Sequence, residues 1–317
     1  MNFPRLMLFA LLATLAVACA RKEEDQRIVL GFSQLGSESA WRVANTESIR
    51  SAAATSNIEL HFSDGQQKQE NQIAAIRRFI ADQVDVIAFA PVVSTGWDPV
   101  LREAKAAGIP VILTDRAVKA DPSLYAGFLG SDFVEEGRKA ARWVVAQFKD
   151  PKQAVNIVQL EGTLGSDPAE DRKQGFAEII AQHPNFRVIR SQSADFERDR
   201  GEAAMAEILE SEKNTIHVLY AHNDDMALGA IKAIEDAGLH PGKDILIVSI
   251  DAVRAAFEAM IAGKLNATVE CNPLMGPQLM TSVTEVVSGR PIPKRIVVDE
   301  AVFTMDVARQ FIQTRKY

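Results

Sequence analysis

From Ile28 to Glu270 the chain repeats one pattern: a short apolar run, a polar turn, then a stretch with apolar residues at helical spacing. Short apolar runs rich in β-branched residues read as strands buried on both faces. Alternation with helices then implies parallel pairing, because a parallel crossover needs a connection of about helix length. The class is therefore α/β, with doubly wound parallel sheets covered by helices on both sides. Predicted strands are Ile28–Leu30, Glu59–Phe62, Val86–Ala90, Val111–Thr114, Tyr125–Leu129, Val155–Leu160, Arg187–Ser191, Val218–Ala221, Ile245–Ile250 and Ala267–Glu270. Between them, Gln69–Ala81 puts Ile73, Ile76, Phe79 and Ile80 on one face, and Asp98–Ala107 is closed by Gly108.

That many strands exceed one doubly wound sheet. The chain is expected to divide near Asp132 into two lobes, 28–132 with about 272–300 and 133–271 with about 301–317. No Gly/Pro/Ser-rich linker marks the division, so the hinge is expected to consist of strands passing directly between the lobes. A cleft between two such halves is the usual place for a small ligand.

Residues 1–18 read as an export signal: Arg5 is positive, Leu6–Val17 is mostly apolar, and Ala16-Val17-Ala18 offers small residues for cleavage. The run is shorter than the ~20 residues a membrane span needs. Cys19 follows at once, in the manner of the lipobox of bacterial lipoproteins, although Ala16 stands where leucine is usual. Two outcomes stay open, a lipidated Cys19 or ordinary cleavage that leaves it unmodified. Residues 19–27 then form a short charged tether. The rest of the 317-residue chain is long enough for two cores. Acidic residues outnumber basic ones, 42 to 35, and no basic run occurs, which argues against nucleic acid as a partner. The second cysteine, Cys271, stands alone, so stability is expected from packing and not from a disulfide framework.

The chemistry gathers at strand ends. The first strand feeds a loop with Ser33, Gln34, Ser37, Glu38, Ser39, Trp41 and Arg42, and Gly31 is expected to turn the backbone into it. Asp115 and Arg116 follow the strand ending at Thr114; Arg172 lies on the helix after Glu161-Gly162-Thr163. Phe196, Asn223 and Asp251 come just beyond later strands. Ligands of open α/β sheets sit outside the carboxyl ends of strands. If Glu38, Asp115 and Asp251 face Arg42, Arg116 and Arg172, the formal charges cancel and the site prefers a neutral ligand. Carboxylates accept hydroxyl protons, guanidinium groups donate in pairs, and Trp41 and Phe196 offer flat apolar walls, which is the inventory of a sugar site.

Other motifs are bland. Asp224-Asp225 is explained as a helix N-cap followed by a first-turn charge. His61, His183, His217, His222 and His240 lack metal spacing, no calcium or phosphate loop occurs, and no nucleophile with its base can be assembled. No catalytic residue, metal or cofactor is expected, and the chain is not read as an enzyme.

The body resembles the periplasmic sugar-binding proteins of the ribose/galactose class, and within it most the galactofuranose binders of bacterial ABC importers. The stretches that carry this are GFSQLGSESAWR (31–42), DGQQKQENQI (64–73), APVVSTGWDPVLREAK (90–105), DRKQGFAE (171–178), IRSQSADF (189–196) and YAHNDDMALGAIKAI (220–234). The similarity covers about Ile28 to Val269 and is weaker beyond. Ribose binders usually place phenylalanines where this chain has its Glu38-to-Arg42 group, so the first stretch is the specific one. The resemblance implies a type I periplasmic binding fold and a monomer that delivers sugar to ABC permease subunits. It also implies sugar contacts from Glu38, Trp41, Arg42, Asp115, Arg116, Arg172, Asn223 and Asp251, with Phe196 stacking on the ring. Cys271 stands where ribose binders have a glutamine ligand, which passes that role to Glu270 or Asn272. Other aldoses such as galactopyranose, ribose or arabinose could satisfy the same groups. A sensor that signals to a membrane kinase or chemoreceptor would read the same closed surface. The effector domain of a sugar-responsive repressor shares the fold, but the export signal and the lack of an N-terminal helix-turn-helix stand against it.

Overall fold

The computed structural model of the protein describes residues 27–298 and 300–317, so the expected signal peptide, Cys19 and the tether up to Gln26 lie outside the described residues. Strands in chain order are β1 (Ile28–Gln34), β2 (Ile58–Asp64), β3 (Val86–Phe89), β4 (Val111–Asp115), β5 (Gly127–Gly130), β6 (Val155–Glu161), β7 (Phe186–Ser193), β8 (Val218–Ala221), β9 (Leu246–Asp251), β10 (Ala267–Glu270), β11 (Arg295–Val297) and β12 (Val302–Thr304). The longer helices are α1 (Ala40–Thr55), α2 (Gln69–Ala81), α3 (Asp98–Ala106), α4 (Phe133–Gln147), α5 (Asp167–Ile180), α6 (Arg198–Glu212), α7 (Asp224–Asp236), α8 (Arg254–Ile261) and α9 (Gly276–Val287).

The strands form two sheets, ordered β2-β1-β3-β4-β5-β11 and β7-β6-β8-β9-β10-β12. All pairs are parallel except β10 with β12. Through their first five strands both halves therefore repeat one topology. In each, the order reverses beside the first strand, and loops leaving the two strands there diverge to open a crevice at their carboxyl ends. β11 and β12 escaped the sequence reading because each has only three residues, too few to show a period.

The chain passes between the sheets after β5, after β10 and between β11 and β12. After the second passage α9 returns to the first half, where the Gly276 N–H donates to Ser48 Oγ of α1 at 3.0 Å. Gly31 does not turn the chain, contrary to expectation. β1 runs on to Gln34, and Gly31 lies under the ring of α2's Phe79, where a Cβ would sit 2.6 Å from Phe79 Cγ. In the second half, α4 and α5 approach closely at Gly137 and Gly175. A Cβ on Gly137 would stand 2.2 Å from the Arg172 carbonyl oxygen, and one on Gly175 would stand 1.9 Å from that of Val134. This contact fixes where Arg172 can point. Among the described residues no helix is long and apolar enough to cross a membrane.

Candidate ligand-binding site

One cavity lies between the carboxyl ends of the two sheets. It is lined by Glu38, Trp41, Arg42, Asp115, Arg116, Arg172, Phe196, Asn223 and Asp251, together with Ser39, Phe133, Pro168 and Cys271. All nine residues singled out from the sequence thus converge on one space, and their side chains are buried.

The first loop is organised by the start of α1. Ser39 is its N-cap, its hydroxyl accepting from the Arg42 N–H at 3.1 Å, and Glu38, the residue before the cap, meets Arg42 of the first turn. Arg42 donates through Nε to Glu38 at 3.2 Å and through Nη2 to Asp115 at 2.6 Å. Burial works against the charge on Arg42, but the Asp115 and Glu38 carboxylates outweigh it and hold its pKa above the ordinary value. The Trp41 indole N–H donates to the Cys271 carbonyl at 2.7 Å, which fastens this loop to the passage after β10. Arg116 donates to the Val92 carbonyl at 3.0 Å. Burial and the neighbouring Arg42 pull its pKa down to about 10.

From the other half, Arg172 donates to Glu136 at 2.7 Å and to the His222 carbonyl at 2.5 Å, and lies 3.7 Å from Asp251. Burial opposes its charge and Glu136 more than restores it, so its pKa is raised. Burial pushes the Asp251 carboxyl well up, with Arg172 pulling the other way. The Phe196 ring sits beneath both Arg116 and Arg172, at 5.2 and 5.9 Å from the guanidinium carbons. It fits only because residue 162 is glycine, where a Cβ would stand 1.9 Å from the ring. Asp115, Phe196 and Asp251 have φ of 61°, 65° and 127°, a region non-glycine residues rarely occupy and that clusters at ligand sites.

Two details depart from the sequence reading. The N-cap of α7 is Asn223, whose Oδ1 accepts from the Met226 N–H at 3.0 Å, and not Asp224. Asp224 instead is buried and accepts from Ser249, Thr268 and the Val253 N–H. At the passage after β10, Cys271 itself lines the cavity, whereas Glu270 pairs with Arg315 at 2.7 Å and Asn272 accepts from the Leu274 N–H at 2.9 Å. Neither Glu270 nor Asn272 lines the cavity. Glu136 was not singled out from the sequence. Its one signal is position, four residues before Ala140 on the side of α4 that carries Gly137 and Ala141.

Around the cavity the two halves touch directly. The Ala40 N–H donates to Asp225 at 2.8 Å, the Ser94 N–H to the Gly165 carbonyl at 3.0 Å, the Ala117 N–H to Asp167 at 3.0 Å, and Gln67 to Glu197 at 3.0 Å. The cleft is closed.

Two lobes of one topology, joined by three strand passages and shut over a buried polar pocket, define a hinged solute-binding receptor. The chain belongs to the periplasmic binding protein domain family, whose profile matches residues 30–291. The galactofuranose-binding protein YtfQ of Escherichia coli is 44% identical over 293 residues, 91% of this chain and 92% of its own length. A Mycobacterium smegmatis protein crystallised with β-D-fucofuranose is 52% identical, with a TM-score of 0.89 over 92% of this chain and 95% of its own. The binding protein of the Shewanella sp. ANA-3 arabinose ABC transporter, bound to α- and β-L-arabinofuranose, is 44% identical, with a TM-score of 0.87 over 91% of this chain and 95% of its own. The Escherichia coli and Shewanella relatives are solute-binding proteins, not enzymes.

Proposed function

We propose that the chain is the substrate-binding component of an ABC sugar importer, capturing one neutral monosaccharide in furanose form, galactofuranose foremost, and delivering it to the membrane permease. The observation that carries this is a pair of unmet bonds in the cavity: Glu38 Oε2 and Arg116 Nε are both buried without a partner among the described residues. A buried acceptor and donor left open cost about 1–3 kcal/mol each, more when charged. A ligand that satisfies both offers a proton and a lone pair, as sugar hydroxyls do. Net charge points the same way. Glu38, Asp115 and Glu136 bond or border Arg42, Arg116 and Arg172, three formal charges of each sign, and burial holds the fourth acid, Asp251, toward its neutral form, so no charge is left for a phosphate or carboxylate to neutralise. Sugars of furanose form in two similar proteins support the ring form.

In this reading Glu38, Trp41, Arg42, Asp115 and Arg116 grip the sugar from one lobe and Arg172, Phe196, Asn223 and Asp251 from the other. The moving units are 28–132 with about 272–300, and 133–271 with about 301–317. Residues 1–18 export the chain to the periplasm, where it works as a monomer held by a lipid on Cys19 or free after plain cleavage. Mass spectrometry of the mature N-terminus separates those two.

Calorimetric titration of the mature chain with galactose, arabinose and ribose tests the sugar. Furanose is a minor solution form, so the apparent affinity is the intrinsic one reduced by that fraction. Galactose or arabinose should bind, and both W41A and R42A should abolish binding. Ribose binding orders of magnitude tighter than galactose would sink the assignment.

A further inference from the structure

Behind Arg172 the three passages between the lobes meet in one buried cluster. Glu136 on α4, Cys271 after β10 and Glu300 between β11 and β12 each bring an oxygen or sulfur within 4.8 Å of the others, and all three are buried. Glu300 Oε1 accepts from Ser131 Oγ at 2.6 Å and from the Asn272 N–H at 3.1 Å. One carboxyl group therefore ties the first and second passages to the third. Lys139 touches Glu300 only at its backbone carbonyl. Glu136 gives Oε2 to Arg172, while its Oε1 is buried with no donor among the described residues.

The groups facing this pair decide its charge. Arg172 of α5 is the cation in contact. Asp251 at the end of β9 and the Cys271 thiol are both pushed well up in pKa, chiefly by burial, and so carry little charge. Two ionised carboxylates would leave an excess negative charge against Arg172 in a water-excluded hinge. Carboxyl groups this close cannot both ionise cheaply, and one proton between them removes the excess. That proton also supplies the donor that Glu136 Oε1 lacks. We propose that Glu136 and Glu300 share one proton, and that this bridged pair is a positioning device which aims Arg172 into the cavity and fastens the three passages in the closed geometry. Burial, reinforced by Glu136, pushes Glu300 up to about 9, in accord with a proton held there at neutral pH.

The sugar arm of the test rests on the proposed function, and the folding arm does not. In the unfolded chain Glu300 titrates near its ordinary 4.5, and in the native chain near 9. The native state holds the extra proton across that window. Its contribution to stability is complete below the window and is lost as pH rises through it. Glu300→Gln has no proton to lose, donates through its amide to Glu136 and keeps an oxygen for Ser131 and Asn272. Thermal melts of the ligand-free mature chain should show E300Q above wild type, by a margin that widens from about pH 5 to about pH 9. A margin independent of pH, or an E300Q chain that does not fold, would overturn the proposal. Calorimetry with the sugar that binds wild type should place E300Q within about threefold of it and E136Q at least about tenfold weaker, since E136Q removes the charge that holds Arg172. Equal weakening of both overturns it too. One equivalent of divalent metal in the wild type, lost in E300Q, would show a metal ion in the proton's place. If no sugar binds wild type, the melts still read the pair.

Discussion

Arg42 is the residue on which the first half of the pocket depends. Its guanidinium bonds Glu38 and Asp115 at once and is itself almost fully buried, so its partners have no water to fall back on. Removing one member of such a set leaves charges unpaired in low dielectric, which costs about 3–5 kcal/mol. A lysine restores the charge but cannot span two carboxylates with a planar fork. R42K should therefore lower sugar affinity by about tenfold to a hundredfold and also lower the melting temperature, as read by calorimetry and thermal melts. Wild-type affinity in R42K would mean that Arg42 serves only as a point charge. Cys271 offers a contrasting test. Burial pushes its thiol well above the usual range, and the thiolate is the reactive form, so in the sugar-saturated, closed protein iodoacetamide should modify it only when denaturant opens the chain. Rapid labelling of the sugar-saturated protein would contradict the burial.

At the scale of elements, the pairing of α4 with α5 positions the second half of the pocket. Gly137 and Gly175 let the two backbones meet, and that contact sets Glu136 beside Arg172. Gly137→Ala pushes a methyl into the Arg172 carbonyl, and overpacking of this kind costs about 1–3 kcal/mol. G137A should melt lower and bind sugar more weakly, because the helix that carries Arg172 must shift. Unchanged affinity with a lowered melting point would confine the contact to stability. The same element shows why some of the site was legible in the sequence and some was not. Strand ends announce themselves, since an apolar run that stops at Thr114 leaves Asp115 and Arg116 at a predictable place, and the same logic placed Asn223 and Asp251. Glu136 lies inside VEEGRKAARW, where charges surround it, and its burial comes from a neighbouring helix distant in sequence. Glu300 sits in the passage between two three-residue strands with no period to reveal them. Gly31 was misread because a glycine after an apolar run signals a turn equally well as a close approach, and only the Phe79 ring distinguishes the two.

For the whole molecule, binding and closure form one equilibrium. A sugar can shift it only by its differential affinity for the closed state, and contacts between the lobes outside the pocket set where that equilibrium starts. Asp225 is such a contact. It accepts the Ala40 N–H across the cleft at 2.8 Å, is held in place by Arg198 at 2.7 Å, and does not line the cavity. Hydrogen bonds to a charged group contribute about 1.5–3 kcal/mol, so losing this one should reduce the closed fraction and with it the apparent affinity by roughly tenfold or more. D225A leaves every residue of the pocket intact. Saturating sugar should therefore still bring its small-angle scattering profile to that of the closed wild type, at a higher sugar concentration. A variant that binds with wild-type affinity would show that the Asp225 contact forms without biasing closure. One that stays open at saturation would show instead that closure depends on this latch more than on the sugar.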